Sequence, residues 1–126
     1  MGIDQVIYQR GYDSHENNDR TIATLVNGDI DGFSPEQVRV TKFNRNTSLG
    51  NHWREYPELY GVIGQAKVTL EDIDTKERRN YDLKTGDRLL VPSRVALKIE
   101  ASEGTVIITC CPKAARDEKT HKYEIK

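Results

Sequence analysis

The chain is poor in cysteine: it has two, and they are adjacent, Cys110 and Cys111. Neighbours in sequence make poor disulfide partners. That excludes a disulfide-stapled scaffold and points to a reducing, cytoplasmic setting. No apolar run reaches the ~18 residues that a membrane span needs. The N-terminus, MGIDQVIYQRGYDSHE, has no basic region followed by an apolar stretch, so it does not read as a secretory signal. An excess of one charge is also lacking. Lys plus Arg number 19 and Asp plus Glu 20, for a net charge of -1. No global field draws the chain to nucleic acid or to an anionic membrane, and neither is expected as a partner. There is no phosphate-cradling glycine loop, no H-E-x-x-H and no G-x-S-x-G. The nucleotide-loop, zinc-protease and serine-hydrolase signatures are thereby removed. No segment carries a convincing helical period.

What is present is a short-strand pattern. With 36% hydrophobic and 31% charged residues, the composition is that of a globular domain with a charged surface. A length of 126 residues fits a single domain, 1–126, with 113–126 a polar C-terminal tail. Ala66, Val68 and Leu70 alternate with Lys67, Thr69 and Glu71, which is a half-buried strand. Val95, Leu97 and Ile99 repeat the pattern, and Val38 and Val40 alternate with Gln37, Arg39 and Thr41. Thr105 to Cys111 is rich in β-branched residues and bounded by Gly104 and Pro112. Turn residues separate these runs at Asn27-Gly28-Asp29, Gly61 to Gly64, Asp72 to Thr75 and Thr85-Gly86-Asp87. Ser34-Pro35-Glu36-Gln37 can open one helical turn. The tail can be a short helix, an added strand or disordered. Many short strands at regular spacing predict an all-β sandwich, jelly roll or barrel.

The densest polar and aromatic stretch is Gly50-Asn51-His52-Trp53-Arg54-Glu55-Tyr56-Pro57-Glu58-Leu59-Tyr60. On a strand, His52 and Arg54 share a face and Trp53 takes the other. Glu58 then opens the next strand with Tyr60 on its own face. If the first face is the barrel interior, His, Arg, Glu and Tyr converge there as an acid/base set. Histidine moves a proton near neutral pH, arginine holds an anion, and a carboxylate orients or deprotonates. The same residues also fit a satisfied polar cluster with no activity, because buried charges are paired in either case.

The order Gly50-x-His52-x-Arg54-x-x-x-Glu58, with a turn at Gly64, resembles the first motif of the cupin superfamily. Gly86-Asp87-x-x-x-x-Pro92-x-x-x-x-Leu97 resembles the second. The resemblance runs from Val38 to Cys111 and implies a double-stranded β-helix, the cupin jelly roll. Many cupins bind a divalent metal through two His and one Glu of the first motif and one His of the second. His52 and Glu58 stand in two of those places, Arg54 in the third and Leu97 in the fourth. A guanidinium has no lone pair to give, leucine has no donor atom, and the charge of Arg54 repels a divalent ion. No metal ligand set and no cofactor are therefore expected. Arg94 replaces the glycine of the second motif. Among metal-free cupins, the sugar-nucleotide epimerases and 3,4-ketoisomerases are similar in outline, through Asn18-Asp19-Arg20 and Leu49-Gly50-Asn51-His52. That resemblance implies His52 as a base taking a proton beside a ketone, with Arg54 or Tyr60 stabilising the enolate or returning the proton.

The reading is a metal-independent protein acting on a small polar molecule, an isomerase or epimerase of a nucleotide-linked sugar. His52 and Tyr60 are its candidate catalytic residues, and Arg54, Glu58 and Arg39 its candidate substrate-binding residues. A non-catalytic small-molecule-binding cupin and a metal-dependent cupin with a shifted ligand set are the alternatives. A homodimer that covers an exposed strand edge is expected. Other features read as structural. Asn27-x-Asp29-x-Asp31-Gly32 starts like a calcium loop, but Val38 falls where the closing Glu belongs. Of Cys110 and Cys111, one fills the core and one faces away. His15 and His121 are solvated, and Tyr8, Tyr12 and Tyr81 fill core or edge positions.

Overall fold

The computed structural model describes residues 2–28, 34–112 and 117–126. Its strands are β1 (Ile7–Gln9), β2 (Ser14–Glu16), β3 (Thr21–Ala23), β4 (Gln37–Lys42), β5 (Thr47–Arg54), β6 (Glu58–Ile63), β7 (Gln65–Asp72), β8 (Arg78–Lys84), β9 (Arg88–Val91), β10 (Val95–Ala101), β11 (Val106–Cys111) and β12 (Thr120–Lys122). They form two five-stranded sheets, β1-β9-β6-β11-β4 and β12-β5-β10-β7-β8, beside the small pair β2-β3. Every pairing in the two sheets is antiparallel. This is the all-β jelly roll that the sequence predicts.

The alternating segments bury the residues the pattern selects. Ala66, Val68 and Leu70 of β7 face Val95, Leu97 and Ile99 of β10 across the interior side of the second sheet. Tyr60, Val62, Leu89, Val91 and Ile107 of the first sheet close the core from the other side. Each such side chain contributes about 1.5–3 kcal/mol by leaving water. The apolar filling does not extend to the β4 and β5 end, where Arg39, Thr41, Thr109, His52 and Arg54 face inward instead.

Strand β4 forms as predicted, but its apolar side faces out: Val38 is 61% and Val40 68% exposed. Period two fixes which residues share a face and not which face is inside. Here Arg39 and Thr41 turn inward. The helical turn expected at 34–37 is absent. Gln37 is instead paired with Cys111 in the β4–β11 ladder, and Glu36 N–H donates to the Cys111 carbonyl at 3.0 Å. The start of the calcium-like segment is described, but Asp29 to Gly32 lie outside the described residues.

Three local devices fix the frame around the interior. Asp87 of the second motif is buried and accepts from Gly11 N–H at 2.8 Å, Lys84 N–H at 3.0 Å and the Tyr8 hydroxyl at 3.3 Å. It ties β1 to the β8–β9 turn. Arg94 takes the left-handed φ of 65° that a glycine would adopt without strain. Two hydrogen bonds to Asp74, at 2.7 and 3.0 Å, and the Trp53 ring 5.3 Å from its guanidinium hold it there. Gly50 has φ 106°, and a Cβ on it would lie 2.4 Å from the Leu97 carbonyl oxygen. It opens a β-bulge where the β10–β5 register shifts between Leu97 and Lys98.

That bulge aims the histidine. Asn51, at φ 55°, is the extra residue. Leu49 pairs with Ile99 and His52 with Leu97, so residues three apart in sequence both face the interior. A regular strand would have placed them on opposite sides.

Candidate functional site

The site is built around Glu58, the first residue of β6, which is only 3% exposed. Both carboxylate oxygens are occupied. Oε1 accepts from the Tyr60 hydroxyl at 2.5 Å and from Arg54 Nη1 in a short ion pair. Oε2 accepts from Arg39 Nη2 at 2.8 Å and from the Cys111 thiol at 2.9 Å. Arg39 also donates to Cys111 Sγ at 3.1 Å. Arg54 lies on the opposite sheet from Glu58, so this one carboxylate ties the two sheets together at the polar end of the barrel.

The register explains the gathering. Tyr60, Thr109 and Arg39 stand side by side on β6, β11 and β4. Cys111 lies two residues on from Thr109 and Glu58 two residues back from Tyr60, so the five side chains share one face. Of the predicted residues, Arg39, His52, Arg54 and Tyr60 line one cavity of about 100 Å³, with Thr41, Leu49, Ile107 and Thr109. Glu58 sits behind them and lines a smaller recess with His52, Arg54 and Tyr60. All five predicted residues are therefore brought together. Cys111 and Thr120, whose hydroxyl accepts from Arg54 Nε at 3.1 Å, belong to the same network and were missed. Period two along β11 carries the signal for Cys111. The sequence holds no signal for Thr120.

His52 Nε2 is buried and has no hydrogen-bond partner among the described residues. In the neutral tautomer with the proton on Nδ1, Nε2 carries a lone pair that no described residue engages. Burial holds the imidazole below its ordinary value and the Arg54 charge pushes the same way; Glu58 and the Gly50 carbonyl oppose them without winning. The ring is thus neutral near neutral pH and can accept a proton. Burial also lifts the Tyr60 hydroxyl well above its ordinary value, with the Glu58 charge adding to it, so Tyr60 keeps its proton. The Cys111 thiol is pushed up to about 11 by burial and by Glu58, so it is a donor and not a nucleophile. Burial works against the charge on Arg54, but Tyr60, Glu58 and Tyr56 together raise its pKa. Two guanidiniums against one carboxylate leave the cavity wall with one net positive charge, which suits an anionic ligand or a developing oxyanion.

The donor set does not fit the divalent metal that this fold often holds. His52 offers one lone pair, and the oxygens of Glu58 already accept four donors. Arg54 and Leu97 occupy the remaining positions. Among the described residues, no three of His, Cys, Asp and Glu group to hold an ion. A wider depression of about 850 Å³ lies over the second sheet, where Lys67, Lys84, Lys98, Asp82 and Glu100 line it. There Lys67 stands opposite both Asp82 and Glu100, a solvated charge ladder with no histidine or thiol.

The remaining histidines and tyrosines are accounted for. His15 is exposed, as expected. His121 is not simply solvated: it stacks on Trp53 with centroids 4.2 Å apart and meets Glu55 at 2.6 Å. Pairing of β12 with β5 sets it opposite Trp53. Tyr8 and Tyr81 pack against each other at the core margin, and Tyr12 lies 3.5 Å beneath the Arg88 guanidinium. Cys111 is inside, and Cys110 sits on the outer face with Leu59 and Leu90, so both are buried on opposite sides of β11. Among the described residues, no helix is long and apolar enough to cross a membrane.

No protein-family model and no curated protein sequence matches the chain. Solved structures do match. A histidine-to-asparagine mutant of a 3,4-ketoisomerase from Thermoanaerobacterium thermosaccharolyticum, in complex with TDP-4-keto-6-deoxyglucose, superposes with a TM-score of 0.76 at 16% identity, over 91% of this chain and 85% of that one. A dTDP-4-dehydrorhamnose 3,5-epimerase from Bacillus anthracis, with TDP and pyrophosphate bound, gives 0.77 at 15% identity, over 94% and 78%. A TDP-fucose-3,4-ketoisomerase from Campylobacter jejuni gives 0.72 at 10% identity, over 92% and 87%. The chain has the cupin fold of these enzymes, and its structural neighbours are the sugar-nucleotide epimerases and ketoisomerases that the sequence resembles.

Proposed function

We propose that this chain is a metal-independent isomerase or epimerase of a nucleotide-linked keto sugar. One observation carries the reading: a buried imidazole nitrogen, His52 Nε2, is left without a partner beside two guanidiniums. An unsatisfied buried polar atom costs free energy, and a ligand C–H or hydroxyl presented to it explains its retention. His52 takes the proton from the carbon next to the ketone. The C–H electrons become the enolate double bond, and the carbonyl electrons move to oxygen. Arg54 and Arg39 stabilise that oxyanion. Return of the proton to the same carbon from the other face epimerises it. Delivery to the former carbonyl carbon, with the hydroxyl proton lost from its neighbour, moves the ketone. Tyr60 keeps its proton and is the candidate donor, and Glu58 fixes Arg54, Arg39 and Tyr60 in place. The cavity of about 100 Å³ admits the reacting part of a sugar. Arg39, 44% exposed, is the group that a phosphate would meet outside it.

The alternative, binding without turnover, draws on a different observation: the Tyr60 proton is already given to Glu58. Incubation with TDP-4-keto-6-deoxyglucose in deuterated water separates the two. Deuterium entering the carbon beside the ketone, abolished in a folded His52→Ala variant, supports the isomerase reading. Tight binding of TDP with no exchange supports the binding role. Neither exchange nor binding overturns both. The homodimer belongs to this proposal too. Val38 and Val40 are exposed on the edge strand β4, which also carries Arg39 and Thr41, and a second copy along that edge would cover them. Sedimentation at the monomer mass would exclude it.

A further inference from the structure

We infer that the C-terminal segment, Thr120 to Ile125, is part of the site, with Thr120 the positioning residue for Arg54 and Asn51 the positioning residue for His52. The inference rests on the roles proposed above for His52 and Arg54. Strand β12 adds to the outer edge of β5, with Thr120 opposite Arg54 and Lys122 opposite His52. An edge cover of this kind needs only ladder hydrogen bonds. Two bonds involving side chains go beyond that, and one more backbone bond carries the ladder a residue past β12. Thr120 Oγ1 accepts from Arg54 Nε at 3.1 Å, on the side of the guanidinium turned away from Glu58. Asn51 carbonyl accepts from Tyr123 N–H at 2.9 Å, and Asn51 Oδ1 accepts from Ile125 N–H at 3.0 Å.

The partners are telling. Arg54 has Glu58 and Tyr60 at Nη1 and Thr120 at Nε, so its planar fork is held at the cavity wall from two directions. Asn51 is the bulge residue that turns His52 inward, and it holds a left-handed φ of 55° that costs a non-glycine residue free energy. The C-terminal segment spends both its backbone donors at this point on Asn51. Ile125, 4% exposed, anchors the segment at its end, and Tyr123 donates to Glu71 in a short bond. One stretch of chain therefore sets the two side chains that the proposed chemistry needs.

The test uses the full chain with Thr120→Val, which removes the hydroxyl and keeps the shape, Thr120→Ser, which keeps the hydroxyl, and Asn51→Gly, which keeps the backbone freedom and removes Oδ1. The first readout is the His52 imidazole titration followed by NMR, which needs no substrate. Thr120→Val loosens Arg54 and moves the midpoint upward, Thr120→Ser restores it, and Asn51→Gly changes it through the ring position. The second readout is turnover of the keto sugar. Thr120→Val lowers kcat by about tenfold or more at similar KM, and Thr120→Ser recovers it. If the wild-type chain turns nothing over, the proposed function fails, and the titration alone decides the inference. Variants that fold normally and leave the His52 titration at its wild-type midpoint overturn the inference, whatever the turnover.

Discussion

Replacing Glu58 by Gln tests whether the carboxylate is the hub of the interior. The side chain keeps its size and one acceptor oxygen but loses its charge and turns one acceptor into an N–H donor. That donor must face either the Arg54 and Tyr60 pair or the Arg39 and Cys111 pair, and all four of these groups are donors towards position 58. Arg54, 14% exposed, is then a charge without a counter-ion. Removing one partner of a buried ion pair costs about 3–5 kcal/mol. Arg39 is 44% exposed and water replaces most of what it loses, so its share adds at most about 1 kcal/mol. An expected loss of about 4 kcal/mol, against an unfolding entropy of roughly 2.1 cal/mol/K per residue, lowers Tm by about 15 °C. Urea unfolding of the single variants and of Glu58→Gln combined with Arg54→Met gives the coupling directly. The double variant should recover part of the loss, because the buried charge of Arg54 is then gone and only the half-exposed Arg39 is left without its counter-ion. A Glu58→Gln loss under about 1 kcal/mol, or strictly additive losses, would refute the hub.

Three further outcomes are expected. Gly50→Ala should cost about 2–5 kcal/mol, because the strain at φ 106° is joined by a clash of the new Cβ with the Leu97 carbonyl oxygen at 2.4 Å, while Gly104→Ala, at φ 89° with open space around it, should cost only about 1–2 kcal/mol; equal losses in thermal unfolding would show that the bulge tolerates a side chain. The folded His52 binds its proton more weakly than the unfolded ring, whose ordinary value is 6.5, so the unfolded state holds more protons as pH falls through that value and stability falls with it. His52→Gln should flatten that part of the pH–stability curve, and any turnover should show an acid limb below 6.5; a limb above it would contradict a neutral resting base. Both thiols, with Cys111 pushed up to about 11 and Cys110 raised by burial, should resist a disulfide reagent at pH 8 in the native protein and react in urea. Fast native reaction would refute their burial.

What the sequence disclosed followed from period two. Ala66, Val68, Leu70, Val95, Leu97 and Ile99 are buried as the alternation requires, and His52 and Arg54 share a face because they are two apart. The same rule is silent on which face is inside, and nothing in the alternation of residues 37–41 says that Val38 and Val40 are the exposed pair. It is silent too on register. The Gly50–Asn51 bulge puts Leu49 and His52 on one side, which only the pairing with β10 decides. Thr120 lay in a polar tail with no pattern at all. Its place against Arg54 comes from a long-range edge pairing, and nothing local in residues 113–126 encodes it.

The exchange of a metal ligand for Arg54 changes more than one residue's role. In a site built of imidazoles and a carboxylate, every group presents lone pairs and a cation is needed to hold them together. Here the order is reversed. Arg54, Arg39, Tyr60 and Cys111 are donors, and Glu58 is the single acceptor that they share. The carboxylate takes the place at the centre of the cluster, and its charge is used up internally. One lone pair stays unclaimed, at His52 Nε2, and one positive charge stays unbalanced beside it. A proton acceptor next to a surplus cation is an arrangement suited to making and holding an enolate, since the first step creates one negative charge at the place where the field is positive. A site meant only to hold an anion needs the cation and has no use for an unpaired imidazole, and this is why Nε2, more than either arginine, separates the two readings.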